Sequence, residues 1–304
     1  MEISEAITKY LRHKSGEIKE KSVFTYGRFL EKFKTYFNKP FEEVNEDDID
    51  DFKLAMKGKY ASAHYASLVI VLKDFVKFSH KRGLTKLDDY FIKCPRYKSN
   101  PHQTITFEEF NKLCDTLSEN NYSELTKKLV VKMLWWTGMR VSELCELDLS
   151  QIDNAKREIQ IQAKKSNRLR LISWSQDTHD LLIRYLGVRI CLNQCPALFV
   201  APSGGINARI TSRSVQRWIK EACKKAGITK KISPHSFRHG IVHFLKSLGL
   251  AAEDVQGYIG HTSVVSTIQN YMVWDYTELN DFRGKVEELV KQKMAATPNA
   301  LVAN

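Results

Sequence analysis

No run of about 18 apolar residues occurs anywhere in the 304-residue chain, so nothing in it reads as a membrane span. The amino-terminal MEISEAITKY is acidic and amphipathic, without the basic start and apolar core of a secretory signal. None of the six cysteines forms a C-x-x-C pair. Cys191 and Cys195 stand four apart, with no histidine or second cysteine pair nearby to complete a zinc set. Cys114, Cys145 and Cys223 fall in apolar helical patterns, where cysteine serves as a small hydrophobe. Cys94 completes the six, and the pattern is that of a reduced, cytosolic protein. There is no internal repeat and no low-complexity tract. Acidic residues are in deficit: 35 Asp+Glu face 47 Lys+Arg, a formal net charge of +12. An excess of that size points to a polyanionic partner, most often nucleic acid.

What is present is ordinary globular composition, 43% hydrophobic and 27% charged, in a chain long enough for one large or two medium domains. The first hundred residues read as four helices. SVFTYGRFLEKFKTYF puts Val23, Tyr26, Phe29, Leu30, Phe33, Tyr36 and Phe37 on one apolar face. SAHYASLVIVLKDFVKFSHKRG repeats the pattern and stops on a basic turn and Gly83. Shorter helices fit near 2–13 and 46–57. IKCPRYKSNPHQT, with two prolines and little apolar content, has a linker's composition. Thr106 and Glu109 then form a capping box for FEEFNKLCDTL.

The remainder reads as mostly helical with one β-hairpin. In EIQIQAKKSNRLRLISW, Ile159, Ile161 and Ala163 alternate against Gln160, Gln162 and Lys164, and Leu169 and Leu171 are expected on the returning apolar face. Helices are expected near 176–187, 212–226 and 234–248. In the second of these, Val215, Trp218, Ile219 and Ala222 form one face and Arg213, Arg217, Lys220 and Lys224 another. Such a basic stripe suits a phosphate backbone, although a merely solvated face has the same pattern.

SPHSFRHGIVHFL places His235, His239 and His243 at helical i, i+4 spacing, the spacing of some zinc helices. Arg238 among them repels a divalent cation, and no carboxylate base stands between the histidines. An anion fits better. Ser233-Pro234 opens the helix, so His235 lies in the first turn, where free N–H groups favour negative charge, and Arg238 follows one turn on. In WWTGMRVSELCEL, Gly138 ends one helix, Arg140 starts the next, and Glu143 stands one turn later to orient it. GYIGHTSVVSTIQNYMVW carries His261 at a turn and Tyr271 beyond it.

TGMRVSEL, a lysine-bearing hairpin, HSFRHG, the LGH-like IGH and then a tyrosine, in that order, resemble the tyrosine recombinase family of Xer recombinases and phage-type integrases. The resemblance covers nearly the whole chain. It implies a mainly α fold with a small β-hairpin or sheet, in two domains: a helical core-binding (SAM-like) DNA-binding domain at 1–93 and a mixed α/β catalytic domain at 106–294. A linker at 94–105 joins them. The catalytic domain is expected to close with a helix over Thr277–Met294 that docks on a neighbouring protomer, or else packs in cis, and 295–304 to form a flexible tail.

By the same resemblance, Arg140 and Arg238 grip the scissile phosphate, and His235 bonds it and assists proton transfer. Lys164 is the general acid on the leaving 5′-oxygen. His261 contacts a non-bridging oxygen, and Tyr271 is the nucleophile that forms a 3′-phosphotyrosyl link. Glu143 and His239 support them, and Lys165 and Arg168 join the basic helix in binding DNA. Two departures bear on these roles. The hairpin reads AKKSNR, leaving Lys165 as the alternative acid, and His261 to Tyr271 is one residue longer than the Xer-like spacing, keeping Tyr276 as an alternative nucleophile.

The implied activity is site-specific recombination of duplex DNA, for integration, excision or resolution, independent of metal, ATP or cofactor. The implied assembly is a tetrameric synapse on DNA, in a cytoplasmic, nucleoid-associated protein. No arm-binding domain precedes the first helices, as expected of a Xer-like or simple integrase design. A DNA-binding accessory factor without cleavage would bind DNA without forming a covalent adduct. A type IB topoisomerase-like enzyme would relax plasmids lacking any specific site.

Overall fold

The computed structural model describes residues 1–97, 103–162, 169–190, 195–202, 208–259 and 276–295. The chain divides into two compact units, Met1–Pro101 and His102–Asn304.

The first unit is built on α1 (Ile3–Ser15), α2 (Glu20–Tyr36), α3 (Glu46–Met56) and α4 (Ser62–Lys81). Its core is aromatic. Phe33 is fully buried and meets Phe52, Phe75 and Phe41 edge-on, at 5.3, 6.0 and 6.2 Å between ring centres. Asn45 caps α3 reciprocally with Asp48, and Gly83, at φ +64°, follows the end of α4. The apolar stripe of α2 is buried only at Phe29, Leu30 and Phe33. Tyr36 remains 42% exposed, leaning one edge on Phe37 and Phe52. Leu87 and Ile92 close the core beyond α4.

The second unit surrounds one central helix. It comprises α5 (Phe107–Asp115), α6 (Tyr122–Thr137), α7 (Val141–Glu146), β1 (Ile152–Asp153), β2 (Glu158–Gln162), β3 (Leu169–Ser173), α8 (Gln176–Ile190), α9 (Ser212–Lys225), α10 (Pro234–Ser247), α11 (Ala252–Ile259) and α12 (Tyr276–Ala295). Helix α6 is buried on most of its circumference, with Glu124, Lys127, Lys128 and Lys132 forming its one half-buried polar stripe. Trp135 on it stacks on Phe110 at 4.6 Å and lies 5.8 Å from Phe244 of α10. Helix α10 approaches so closely that a Cβ on Gly240 would lie 2.8 Å from the Trp135 ring and 2.5 Å from the Ile105 carbonyl oxygen. Glycine at 240 is therefore a packing requirement. Cys114, Cys145 and Cys223 are buried in this core, and burial pushes their thiols up to about 12, 11 and 11. No helix among the described residues is long and apolar enough to cross a membrane.

The sheet is three-stranded and antiparallel, in the order β1-β2-β3. Its register corrects the expected hairpin. Ile159 pairs with Ile172, while Leu171 pairs with Gln160 and Leu169 with Gln162. The buried face is thus built from Ile159, Ile161 and Ile172, with buried Trp174 just after β3, and Leu171 is only half-buried. LRLISW alternates apolar residues in either phase, and a one-residue slip exchanges the faces. The core accepts the isoleucine–tryptophan phase.

The apolar stripe of α12 buries Phe282, Val286 and Val290 within its own unit, with Phe282 5.2 Å from the Tyr258 ring. Polar contacts flank it: Arg157 Nη1 lies 3.2 Å from Glu287, and Lys293 Nζ 3.0 Å from the Ser247 hydroxyl.

Glu158 on β2 is buried, and one carboxylate oxygen has no hydrogen-bond partner. Burial raises its pKa above the ordinary carboxylate value, outweighing the opposing charges of Lys156 and Arg283. A raised folded-state pKa means that stability present below the unfolded pKa is lost as pH rises through the folded value. Glu158→Gln is therefore expected to melt above the wild type at about pH 8, with the gap shrinking toward about pH 4. A gap that does not vary with pH in thermal melts would contradict this reading.

Candidate active site

The site begins at the turn between α6 and α7. Gly138 ends α6 in the left-handed conformation, at φ +55°. A Cβ there would also meet Ile259 Cδ1 at 2.6 Å, so both backbone and space require glycine. The reversal lets Arg140 enter α7 as its N-cap residue. Glu143, one turn on, is almost fully buried. One of its carboxylate oxygens accepts from the Arg140 backbone N–H at 2.8 Å and the other from the Arg140 guanidinium at 2.8 Å. The Arg140 side chain is 42% exposed. Arg140 is thus held from behind and open in front.

Helix α10 supplies the second cation. Ser233 caps it, with its backbone N–H donating to the Ser236 hydroxyl at 3.1 Å, and Pro234 occupies the first helical position. Arg238 is 2% exposed and donates to the Gly138 carbonyl oxygen. Arg140 stands two positions after that carbonyl's residue, a reach of at most about 7 Å along the chain. Positions 140 and 238, far apart in sequence, therefore meet at one turn. His235 is exposed in the first turn of α10, and its ring meets that of half-buried His239 edge-on at 4.5 Å. His243 is exposed one turn farther on.

Helix α9 packs against α7 and α10. Arg213, Arg217, Lys220 and Lys224 are all exposed, opposite the buried Val215, Trp218, Ile219, Ala222 and Cys223. Arg217 and Glu221 stand 3.9 Å apart in solvent. Lys164, Lys165 and Arg168, between β2 and β3, and His261 and Tyr271, between α11 and α12, lie outside the described residues. Tyr276 is the first residue of α12.

The structure adds residues that sequence reasoning missed. Tyr258 on α11 is fully buried, with its hydroxyl 2.6 Å from the Trp136 carbonyl oxygen and 3.2 Å from that of Ser173. Burial raises its pKa, so it is a neutral structural donor and no nucleophile. Arg189 on α8 is buried and donates to the carbonyls of Leu198, Cys195 and Ala197, fixing that loop. Arg209 donates to the Leu147 carbonyl at 3.0 Å and pairs with Asp148, tying down the segment that follows α7. Nothing in the local sequence marks these three, because their partners are distant in the chain or are backbone groups.

One exposed and one buried cation, fixed at one turn with a histidine at a helix N-terminus, suit a phosphodiester whose charge grows during attack. Comparisons with known proteins agree. Residues 103–278 match the model of the phage integrase family. The chain is 26% identical over 272 residues to a tyrosine recombinase of Thermosipho africanus, covering 87% of this chain and 93% of that protein. It is 26% identical over 302 residues to a tyrosine recombinase XerC of Thermodesulfovibrio yellowstonii, covering 94% and 97%. Among solved structures, a lambda integrase dimer bound to a core site shares the fold, with a TM-score of 0.71 at 17% identity over 90% of this chain and 98% of that one. The Tn1549 transposon integrase has a TM-score of 0.71 at 17% identity, over 95% and 100%. The chain belongs to the phage integrase family and is a tyrosine site-specific DNA recombinase.

Proposed function

We propose that this recombinase cuts and rejoins duplex DNA at a specific site, with Tyr271 as nucleophile and Arg140, Arg238, His235, His261 and Lys164 as the groups that act on the scissile phosphate. The observation that carries the reading is the placement of Arg140 and Arg238 at one turn, the first clamped by Glu143 and the second bonded to Gly138. The phenol oxygen of Tyr271 attacks phosphorus, His235 assists removal of its proton, and the 5′-oxygen leaves with a proton from Lys164, or from Lys165 in its place. The charge that builds on the non-bridging oxygens falls to the two arginines and the histidines. A 5′-hydroxyl then attacks the phosphotyrosyl bond and releases the tyrosine. The bond energy is conserved, so neither ATP nor a metal enters the balance.

A tyrosine hydroxyl with an ordinary pKa of about 10 is a weak nucleophile at neutral pH, and the cations around it favour its ionised form. The exposed stripe Arg213, Arg217, Lys220 and Lys224, with Lys165 and Arg168, supplies phosphate contacts, supported by the net charge of +12. In this reading residues 1–93 form the helical core-binding domain on DNA and 106–294 the catalytic domain, with a tetramer assembled on two sites in the cytoplasm. The lambda and Tn1549 integrases, solved on DNA, support duplex DNA as the partner.

The test uses a nicked suicide duplex carrying the site recovered by binding selection from a random-sequence pool. Tyr271→Phe should retain binding and lose covalent attachment, and attachment by that variant would overturn the assignment. Glu143→Ala should slow attachment about 10- to 100-fold, because Arg140 loses both of its anchors, with duplex affinity changing far less. Equal loss of rate and affinity in single-turnover and binding assays would refute that orienting role.

A further inference from the structure

Positions 260–275, which include His261 and Tyr271, are bracketed by α11 and α12. Both helices are bonded to the same residue. Ser173, the last residue of β3, is fully buried. Its carbonyl oxygen lies 3.2 Å from the hydroxyl of Tyr258, the penultimate residue of α11. Its hydroxyl accepts from Arg283 Nη1 of α12 at 3.0 Å and donates to the Arg157 carbonyl oxygen at 3.0 Å.

The receptor for α12 is itself built with care. Arg157 is the one described non-glycine residue with positive φ, +55°, a conformation that a Cβ disfavours. That conformation accompanies two contacts: its carbonyl meets Ser173, and its guanidinium meets Glu287, one helical turn beyond Arg283. Arg283 Nη1 also reaches the Lys156 carbonyl at 3.0 Å. The same group of bonds continues to the phosphate-binding turn, because the Tyr258 hydroxyl lies 2.6 Å from the carbonyl of Trp136, two residues before Gly138. Strand β3 leads back to the hairpin of Lys164 and Lys165.

We infer that Ser173, with Tyr258 and Arg283, forms a positioning node that sets both ends of the Tyr271-bearing segment against the frame holding Arg140 and Arg238. The inference rests on the reading of Tyr271 as nucleophile. None of the three touches the DNA; they act by placing the phenol for in-line attack, where an error of about 1 Å is enough to slow chemistry severely. Ser173→Ala deletes the hydroxyl links to Arg283 and to the Arg157 carbonyl and leaves the carbonyl to Tyr258. Arg283→Met deletes the same link from the other side at similar volume.

In the full-length protein, single-turnover attachment to the nicked suicide duplex should fall about tenfold or more in each variant, with duplex affinity held within about twofold. Each variant also loses one bond of its own, Ser173 to the Arg157 carbonyl or Arg283 to the Lys156 carbonyl, so their double variant should be slower than either single but fall short of the product of the two effects, because the Ser173–Arg283 bond is lost only once. A second substrate carries sulfur in place of the bridging 5′-oxygen, whose departure as a thiolate needs no proton donor. The defect should persist on it, because the nucleophile is misplaced. Restoration of the rate on the sulfur substrate would instead place the defect in the lysine hairpin and overturn the inference. Wild-type rates in the two single variants would overturn it as well, as would parallel losses of rate, affinity and melting temperature. If Arg283→Met unfolds at assay temperature, Ser173→Ala, the smaller change, decides. Tyr271→Phe is run alongside: if it attaches covalently, the nucleophile assignment fails; if it is inert while the node variants react normally, only the node fails.

Discussion

The bond from the Arg238 guanidinium to the Gly138 carbonyl is the constraint on which the site depends. Gly138 does three things at once. It ends α6 in a conformation that a side chain disfavours, it leaves room for Ile259, and it turns a helix-terminal carbonyl toward α10. Carbonyls at a helix C-terminus carry partial negative charge, which suits a guanidinium. A cation buried to the extent of Arg238 is unfavourable without such partners. The short TGMR stretch therefore makes the partner for one arginine and, two residues later, presents the other.

Around that bond the unit is organised to prevent movement. Glu143 holds Arg140 from behind with two hydrogen bonds. Gly240 lets α10 press against Trp135 and Ile105, fixing the helix that carries His235 and Arg238. Tyr258, Ser173 and Arg283 tie α11, β3 and α12 into the same frame. Catalysis without a metal relies on donors that are already in place when charge develops, and rigid anchoring removes the need to reorganise them.

Local signals carried much of this fold. Helix spacing, the Thr106–Glu109 capping box, and the stop signals at Gly83 and Gly138 are all short-range features, and the structure follows them closely. The hairpin register was not legible, because LRLISW offers two apolar phases and only the packing of Ile172 and Trp174 selects one. The apolar stripe of α12 was legible, and it supplies Phe282, Val286 and Val290 to the core of its own unit. Arg140, Glu143, His235 and Arg238 were readable because each lies within a turn of a marked helix boundary. Ser173 and Arg283 were not: they meet across 110 positions, and neither stands in a motif.

If Arg140 and Arg238 act as one clamp on one phosphate, as proposed, a crystal structure of the full-length protein on a nicked duplex will show it. Both guanidinium groups should lie within about 3 Å of non-bridging oxygens of the same scissile phosphate, with the oxygen of Tyr271 in line for attack. Guanidinium contacts to two different phosphates, or an Arg238 that stays enclosed and touches none, would contradict it.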